Sequence, residues 1–221
     1  MDLLLDAAAY PELRSDTDIA FLGLTEYQVG LERQQQEFQR VLRGEIKASI
    51  LILEHPPTFT AGRRTNDDER PTDGTPVVDV DRGGKITWHG PGQLVVYPII
   101  ELEDRFDVVK YVRTLERLMI EVIAGLGAKT IAIPGRSGVW FPPDRKVAAI
   151  GVRIAQGITT HGFAINCNPD LSWFDRIVPC GIRDAAVTSL SRELNRDISP
   201  KEITPLVLEQ LSNYLPELMK K

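Results

Sequence analysis

A thiol and an amine stand out among the side chains able to do chemistry. Cys180 sits in Val178-Pro179-Cys180-Gly181-Ile182. Pro179 biases Val178 toward an extended backbone, and Gly181 permits a tight turn directly after the thiol. Such a bend presents a nucleophile and turns neighbouring N–H groups toward an oxyanion. The alternative is a buried, inert thiol, and Cys167, which follows an alternating strand with no bend beside it, reads as that kind. Lys146 opens Lys146-Val147-Ala148-Ala149-Ile150-Gly151-Val152-Arg153. Lysines are ordinarily solvated. One entering an apolar strand is instead partly desolvated, which makes an amine a usable base.

Two glycine-bearing stretches accompany this pair. Residues 82–93 include Gly83, Gly84, Gly90, Pro91 and Gly92. That density means either a plain hairpin turn or a backbone bent around, and closely approached by, something bound. Neither the Gly-x-x-x-x-Gly-Lys-Ser/Thr nor the Gly-x-Gly-x-x-Gly pattern occurs, so no nucleotide motif is indicated. The other stretch is Thr160-His161-Gly162-Phe163-Ala164-Ile165-Asn166. His55, His89 and His161 are far apart in sequence and show no metal-ligand spacing. The two cysteines make neither a disulfide framework nor a Cys-x-x-Cys pair.

The elements that must position these groups are legible in outline. The 221 residues suit one domain spanning 1–221, at roughly 150 residues per domain. A net charge of −5 argues against a nucleic-acid-coating surface. No apolar run approaches the ~20 residues needed to cross a bilayer. The opening Met1-Asp2-Leu3 is wrong for a signal peptide, so a cytoplasmic location is expected.

Apolar periodicity predicts a helix over 27–42, with Tyr27, Leu31, Phe38, Val41 and Leu42 on one face and a capping box from Thr25 and Gln28. A second helix is expected over 108–124, with Val108, Val112, Leu115, Met119 and Val122 inward. Ser199, Pro200 and Glu202 open a C-terminal helix that either kinks or restarts at Pro205. Extended segments are expected at 48–54, 77–80, 85–88, 93–100, 130–133, 139–141, 147–154 and 159–166. The role of residues 58–64 is open, a mobile loop over the mouth of a pocket being one use for them. Helices flanking strands with short connections predict one α/β domain on a mixed sheet.

Taken together, Glu54-His55-Pro56-Pro57, residues 82–93, 146–153, 161–166 and 171–182 resemble the lipoyl(octanoyl) transferases, in that family's order along most of the chain. The resemblance implies a mixed β-sheet with covering helices, akin to biotin and lipoate protein ligases. It implies that Cys180 accepts the acyl group and that Lys146 is its base or activating partner. The substrate pocket carries over onto Arg82, Gly83, Gly84, Lys85, Ile86, Thr87, Trp88 and His89. It continues on Ala149, Ile150 and Gly151, and on His161, Gly162, Phe163 and Ala164. Lys85 and Trp88 stand where many members have an acid and a tyrosine, and Val96 where a glycine is common.

On this reading octanoyl passes from the phosphopantetheine arm of acyl carrier protein to Cys180. From there it goes to a lysine of a lipoyl domain, in 2-oxoacid dehydrogenases or the glycine cleavage H protein, with no metal or cofactor. Gly83, Gly84, Gly151, Gly162 and Ala164 would leave room for the chain, while His89 and His161 would orient the thioester or line the pocket. Arg63, Arg64, Arg82 and Arg145 are candidates for docking the acidic partners. The rivals are an ATP-dependent lipoate- or biotin-type ligase and a non-catalytic acyl-binding module.

Overall fold

The computed structural model describes residues 17–104, 107–177 and 186–220. Its principal sheet is built from β1 (Thr17–Leu24), β2 (Ala48–Glu54), β6 (Gln93–Ile100), β7 (Ile131–Ile133), β8 (Arg136–Phe141), β9 (Arg145–Ala155) and β10 (Ile158–Asn166). They run in the order β1-β2-β6-β10-β9-β8-β7, and β11 (Ala186–Val187) pairs with β9 off that path. The β1–β2 and β11–β9 pairs are parallel and the others antiparallel, so the sheet is mixed. A second sheet places β3 (Thr58–Ala61) between β4 (Val77–Asp79) and β5 (Thr87–His89).

Helix α1 (Tyr27–Leu42) covers one face of the principal sheet, while α2 (Val108–Ala124) and α4 (Pro200–Tyr214) cover the other; the short α3 (Leu190–Leu194) precedes α4. The alternation along β2 shows why this works. Ile50 and Ile52 join the core under α2 and α4, whereas Leu51 and Leu53 pack with Phe38 and Val41 of α1. A strand buried on both faces must read as an unbroken apolar run. Phe59, Ile86, Trp88, Phe174 and Ile177 form a third cluster around the smaller sheet. No helix among the described residues is long and apolar enough to cross a membrane.

Several local expectations need correcting. Thr25 does not cap α1. Its hydroxyl donates to the Leu22 carbonyl at 2.9 Å, and the cap position, Glu26, makes no side-chain capping bond. The buried residues of α1 are Tyr27, Gly30, Gln34, Glu37, Phe38 and Val41, with Leu42 40% exposed. Gln34 is inward because its Oε1 accepts the His161 backbone N–H at 2.7 Å. In α2 Val108 faces outward, and Tyr111, Leu115, Leu118, Met119 and Val122 carry the contact.

Helix α4 runs unbroken through Pro205, with Ser199 as its cap and the Thr204 hydroxyl donating to the Pro200 carbonyl at 2.8 Å. Residues 58–61 are a paired strand, not a loose cover, because Phe59, Thr60 and Ala61 are buried between β4 and β5. Strand β1 had no sequence signal: it is an edge strand with Phe21 and Leu24 exposed.

Leu115 is fully buried between the sheet and α4, so Leu115→Ala is expected to lower the unfolding free energy by about 2–5 kcal/mol. Val109, 71% exposed near the start of the same helix, should tolerate alanine within ~0.5 kcal/mol in the same denaturant titration.

Candidate functional site

Strands β6, β9 and β10 make the floor of a cavity of about 270 Å³ on the α1 side of the sheet. This is close to the ~300 Å³ lower end for small-ligand pockets. Two rows of small residues face each other across the floor, Gly162 opposite Gly151 and Ala164 opposite Ala149. Ile150 and Phe163 also contribute to the lining. The two glycines do more than leave room. A Cβ on Gly162 would stand 2.1 Å from the Val96 carbonyl oxygen, and one on Gly151 would stand 2.7 Å from Cδ of Arg82. They permit β6 and a buried arginine to come this close.

That arginine organises the glycine-rich stretch. Arg82 is 6% exposed. Its guanidinium donates to the carbonyls of Gly83 (3.1 Å), Lys85 (2.9 Å) and Thr60 (2.9 Å) and to the Thr60 hydroxyl (2.8 Å). Residues 82–85 therefore wrap around their own first side chain, and the Gly83 N–H pins the wrap to the Val152 carbonyl of β9 at 2.9 Å. Gly84, at φ +88°, supplies the left-handed step.

Beyond the wrap, β5 alternates. Thr87 and His89 line the cavity, while Ile86 and Trp88 turn into the third apolar cluster. Of residues 82–89, then, Arg82, Gly84, Lys85, Thr87 and His89 reach the cavity, and Gly83, Ile86 and Trp88 do not line it. Lys85 is ion-paired with the buried carboxylate of Glu69.

The three histidines converge. His55 Nδ1 donates to the Thr25 carbonyl at 2.7 Å, which leaves Nε2 to accept the Tyr97 hydroxyl at 2.8 Å. The His89 ring stacks on Tyr27, with centroids 6.0 Å apart, and lies 5.8 Å from His55. His161 meets Tyr97 edge-on at 6.4 Å. Its φ of +56° breaks the strand alternation that would otherwise turn its ring to the opposite face.

Burial lowers the pKa of all three imidazoles. His89 falls well below the usual value, with burial the main cause and the nearness of His55 and of the Arg82 charge opposing a second positive charge there. For His161 burial is partly offset by Asp81, which accepts from Nε2 at 3.1 Å. Burial alone would raise Asp81, but the His161 hydrogen bond and the Arg153 charge hold it below the usual carboxylate range. Burial pushes the Tyr27 hydroxyl up to about 12. Among the described residues no group of His, Cys, Asp or Glu is arranged to hold a metal ion.

A hydrogen-bonded line runs from His89 to the backbone of Lys146. His89 Nδ1 faces Gln93 Oε1 at 3.1 Å, and Gln93 Nε2 donates to Asn166 Oδ1 at 2.8 Å. Asn166 Nδ2 donates to the Thr188 carbonyl at 2.9 Å, and the Thr188 N–H donates to the Lys146 carbonyl at 2.9 Å. Lys146 is 7% exposed and lines the cavity, its amine 5.1 Å from the Trp140 ring centroid. Gly138, at φ +116°, lets the lysine stem pass, since a Cβ there would stand 2.6 Å from Lys146 Cε.

Cys180 lies outside the described residues. The chain resumes at β11, where Ala186 pairs with Arg145 and Val187 with Lys146. Cys167 is fully buried, and burial raises its thiol pKa.

Two of the four proposed docking arginines are otherwise engaged. Arg82 is buried in the wrap, and Arg145 makes paired bonds of 2.8 and 2.9 Å to Glu193. Arg63 and Arg64 are exposed, and Arg64 lies on the cavity rim. Sequence reasoning missed Tyr97, Arg136 and Ser137 as lining residues, and placed Tyr27 only on a helix face. The one available signal for Arg136 and Ser137 was the turn at Pro134-Gly135 just before them.

Residues 26–212 match the family model for the lipoyl protein ligase A/B catalytic domain. The chain is 56% identical over 197 residues to an octanoyltransferase of Acidothermus cellulolyticus, covering 87% of this chain and 89% of the relative. Its structure is similar to that of a bipartite lipoate protein ligase from Thermoplasma acidophilum, with a TM-score of 0.69 at 15% identity over 92% of this chain and 85% of the other. A biotin protein ligase from Aquifex aeolicus gives a TM-score of 0.55 at 17% identity, covering 90% and 71% of the two chains. The structural likenesses show the expected fold, a mixed sheet under flanking helices.

The histidine environment sets a pH dependence. A folded-state pKa below the unfolded value means that, as pH falls through about 6.5, the unfolded chain takes up protons the folded chain refuses. Stability is thus expected to drop from pH 7 to pH 5, by up to ~1.4 kcal/mol per pH unit for each histidine. Denaturant unfolding across that range should show the slope, and His55→Gln should flatten it. A level profile in the unsubstituted protein would contradict the assignment of neutral buried imidazoles.

Proposed function

The chain belongs to the lipoyl protein ligase A/B catalytic domain family and, within it, to the octanoyltransferases, and from that premise we propose that its transfer runs through a thioester on Cys180 assisted by Lys146. The reaction class is octanoyl transfer in lipoate biosynthesis. The donor is octanoyl-acyl carrier protein and the acceptor a lysine of a lipoyl domain; no metal or nucleotide takes part, and the enzyme works in the cytoplasm.

The observation that carries this reading is a buried lysine opening on an apolar-floored cavity, with its backbone bonded to the segment that follows Cys180. Cys180 Sγ attacks the donor's thioester carbonyl. A new C–S bond forms, the donor's C–S bond breaks, and the proton leaving Cys180 passes to the departing carrier thiolate with Lys146 as intermediary. One thioester replaces another, so this half-reaction is near balance. In the second half the acceptor amine attacks the enzyme thioester, a C–N bond forms, and the Cys180 thiolate departs while Lys146 takes up the amine's proton. Amide formation draws the sequence forward.

The acyl chain lies over the floor formed by Gly151, Gly162, Ala149 and Ala164, where each methylene contributes ~0.8 kcal/mol of binding. Water is the competing nucleophile, so the acyl-enzyme must be kept from it until the acceptor amine arrives. The Gln93–Asn166–Thr188 line fixes the strand that carries Lys146 relative to the cavity wall.

Incubation with octanoyl-carrier protein, without ATP, is expected to add one octanoyl mass at Cys180. Neutral hydroxylamine should remove it, and Cys180→Ser should never acquire it. Labelling only with ATP and free octanoate would reassign the chain to adenylating ligase chemistry. Lys146→Ala is expected to slow transfer at least ~100-fold, the lower range for a proton-transfer group. A near-normal rate would remove Lys146 from the mechanism.

A further inference from the structure

The cavity is strongly one-sided in charge. Among the described residues, five cationic ones, Arg64, Arg82, Lys85, Arg136 and Lys146, contribute to its lining and no carboxylate does, in a chain whose net charge is −5. A cleft lined by one sign of charge focuses the field and concentrates counter-ions. Three of these cations are occupied within the protein. Arg82 spends its donors on Thr60 and on its own wrap, Lys85 pairs with Glu69, and Lys146 lies over Trp140. Arg64 is exposed and Arg136 half-buried, and no carboxylate of the described residues pairs with either.

Both stand on fixed backbone. The Arg64 N–H donates to the Gly84 carbonyl at 3.1 Å, which ties it to the wrap around Arg82. Arg136 begins β8 directly after Gly135, whose φ is +79°. The exposed Ser137 adds a hydroxyl on the Arg136 side.

Resting on the reading above, we propose that Arg64 and Arg136 form a phosphate clamp at the mouth of the cavity, and that the group they grip is the phosphodiester of the arm that delivers the octanoyl thioester. Among the reacting groups themselves the acyl chain is neutral, and the acceptor lysine brings positive charge that the same field repels. The phosphodiester of the donor's arm is the anion covalently joined to the thioester, so it enters with the acyl chain, whereas the acidic surfaces of the partner proteins stay outside the cavity. Guanidinium groups suit this, because their planar donors match phosphate oxygens two at a time. The same field favours the acceptor amine in its neutral, nucleophilic form.

The test compares two small donors with equal acyl chains, S-octanoyl-4′-phosphopantetheine and S-octanoyl-pantetheine, by kcat/KM for acylation of the enzyme read as intact mass. The phosphorylated donor is expected to be favoured at least ~10-fold, as charge-assisted hydrogen bonds of ordinary strength would give. In the Arg64→Ala/Arg136→Ala variant the ratio should collapse to within about threefold of unity, and Arg136→Lys, which keeps the charge but loses the fork, should fall between. A ratio near unity in the unsubstituted enzyme, or an undiminished ratio in the double variant, overturns the clamp while leaving octanoyl transfer intact. If neither small donor labels the enzyme while octanoyl-carrier protein does, the arm alone is not gripped and the clamp falls; if octanoyl-carrier protein fails as well, the transfer reading fails.

Discussion

The site is organised around one buried guanidinium. A charge taken out of water is costly unless its donors are met, and Arg82 meets that requirement with backbone carbonyls supplied by its own loop and by Thr60. The loop therefore cannot relax independently of the arginine. Its position fixes the start of β5, hence which of Thr87 and Trp88 faces the cavity. Two absent Cβ atoms make the arrangement sterically possible: Gly151 clears the arginine stem, and a side chain on Gly62 would stand 2.7 Å from the guanidinium and 2.6 Å from the Gly84 carbonyl. The glycine-rich stretch is thus neither a plain hairpin nor an empty cradle. It is backbone wound around a cation.

Beside that anchor two hydrogen-bonded lines meet where the His55 and His89 rings touch. One runs from the Thr25 carbonyl through His55 to Tyr97, and the other from His89 through Gln93 and Asn166 to the Thr188 carbonyl. Such networks specify geometry more than they add stability, because each unmet partner is penalised in a low-dielectric interior. In this enzyme the specified geometry is that of β9, the strand carrying Lys146, relative to β10 and β11. The role proposed for Lys146 requires that its amine be held to within fractions of an ångström, and a lysine side chain has no rigidity of its own. Its confinement comes from Trp140, the gap at Gly138 and the bonded backbone.

Charge and shape divide the labour of recognition. Small residues on paired strands give an apolar floor, while cations at the rim and walls give a positive field inside an acidic molecule. The proposed donor, an apolar acyl tail joined to an anionic arm, is complementary to both features. The fold is shared with ligases at low identity, so the scaffold does not dictate the chemistry; the side chains set into it do.

The sequence by itself determined the local elements and the chemical cast. Helices α1 and α2 begin and end where periodicity and glycines place them, and β2 and β6 match their apolar runs, because these depend on neighbours in the chain. Lys146 and Cys180 stood out as candidates by residue type and flanking Pro and Gly, and the family resemblance joined them as a pair and gave the pocket segments. Only the tertiary structure decided which residues of those segments face the cavity. Trp88 and Ile86 turn away while Tyr97 and Arg136 turn in, and three histidines scattered along the chain become neighbours. It also reassigned Arg82 from a docking surface to a buried anchor, and residues 58–61 from a loop to a central strand. These outcomes depend on strand pairing between residues distant in sequence, and on whether a charged group finds acceptors once buried. Neither is encoded in a local window of the chain.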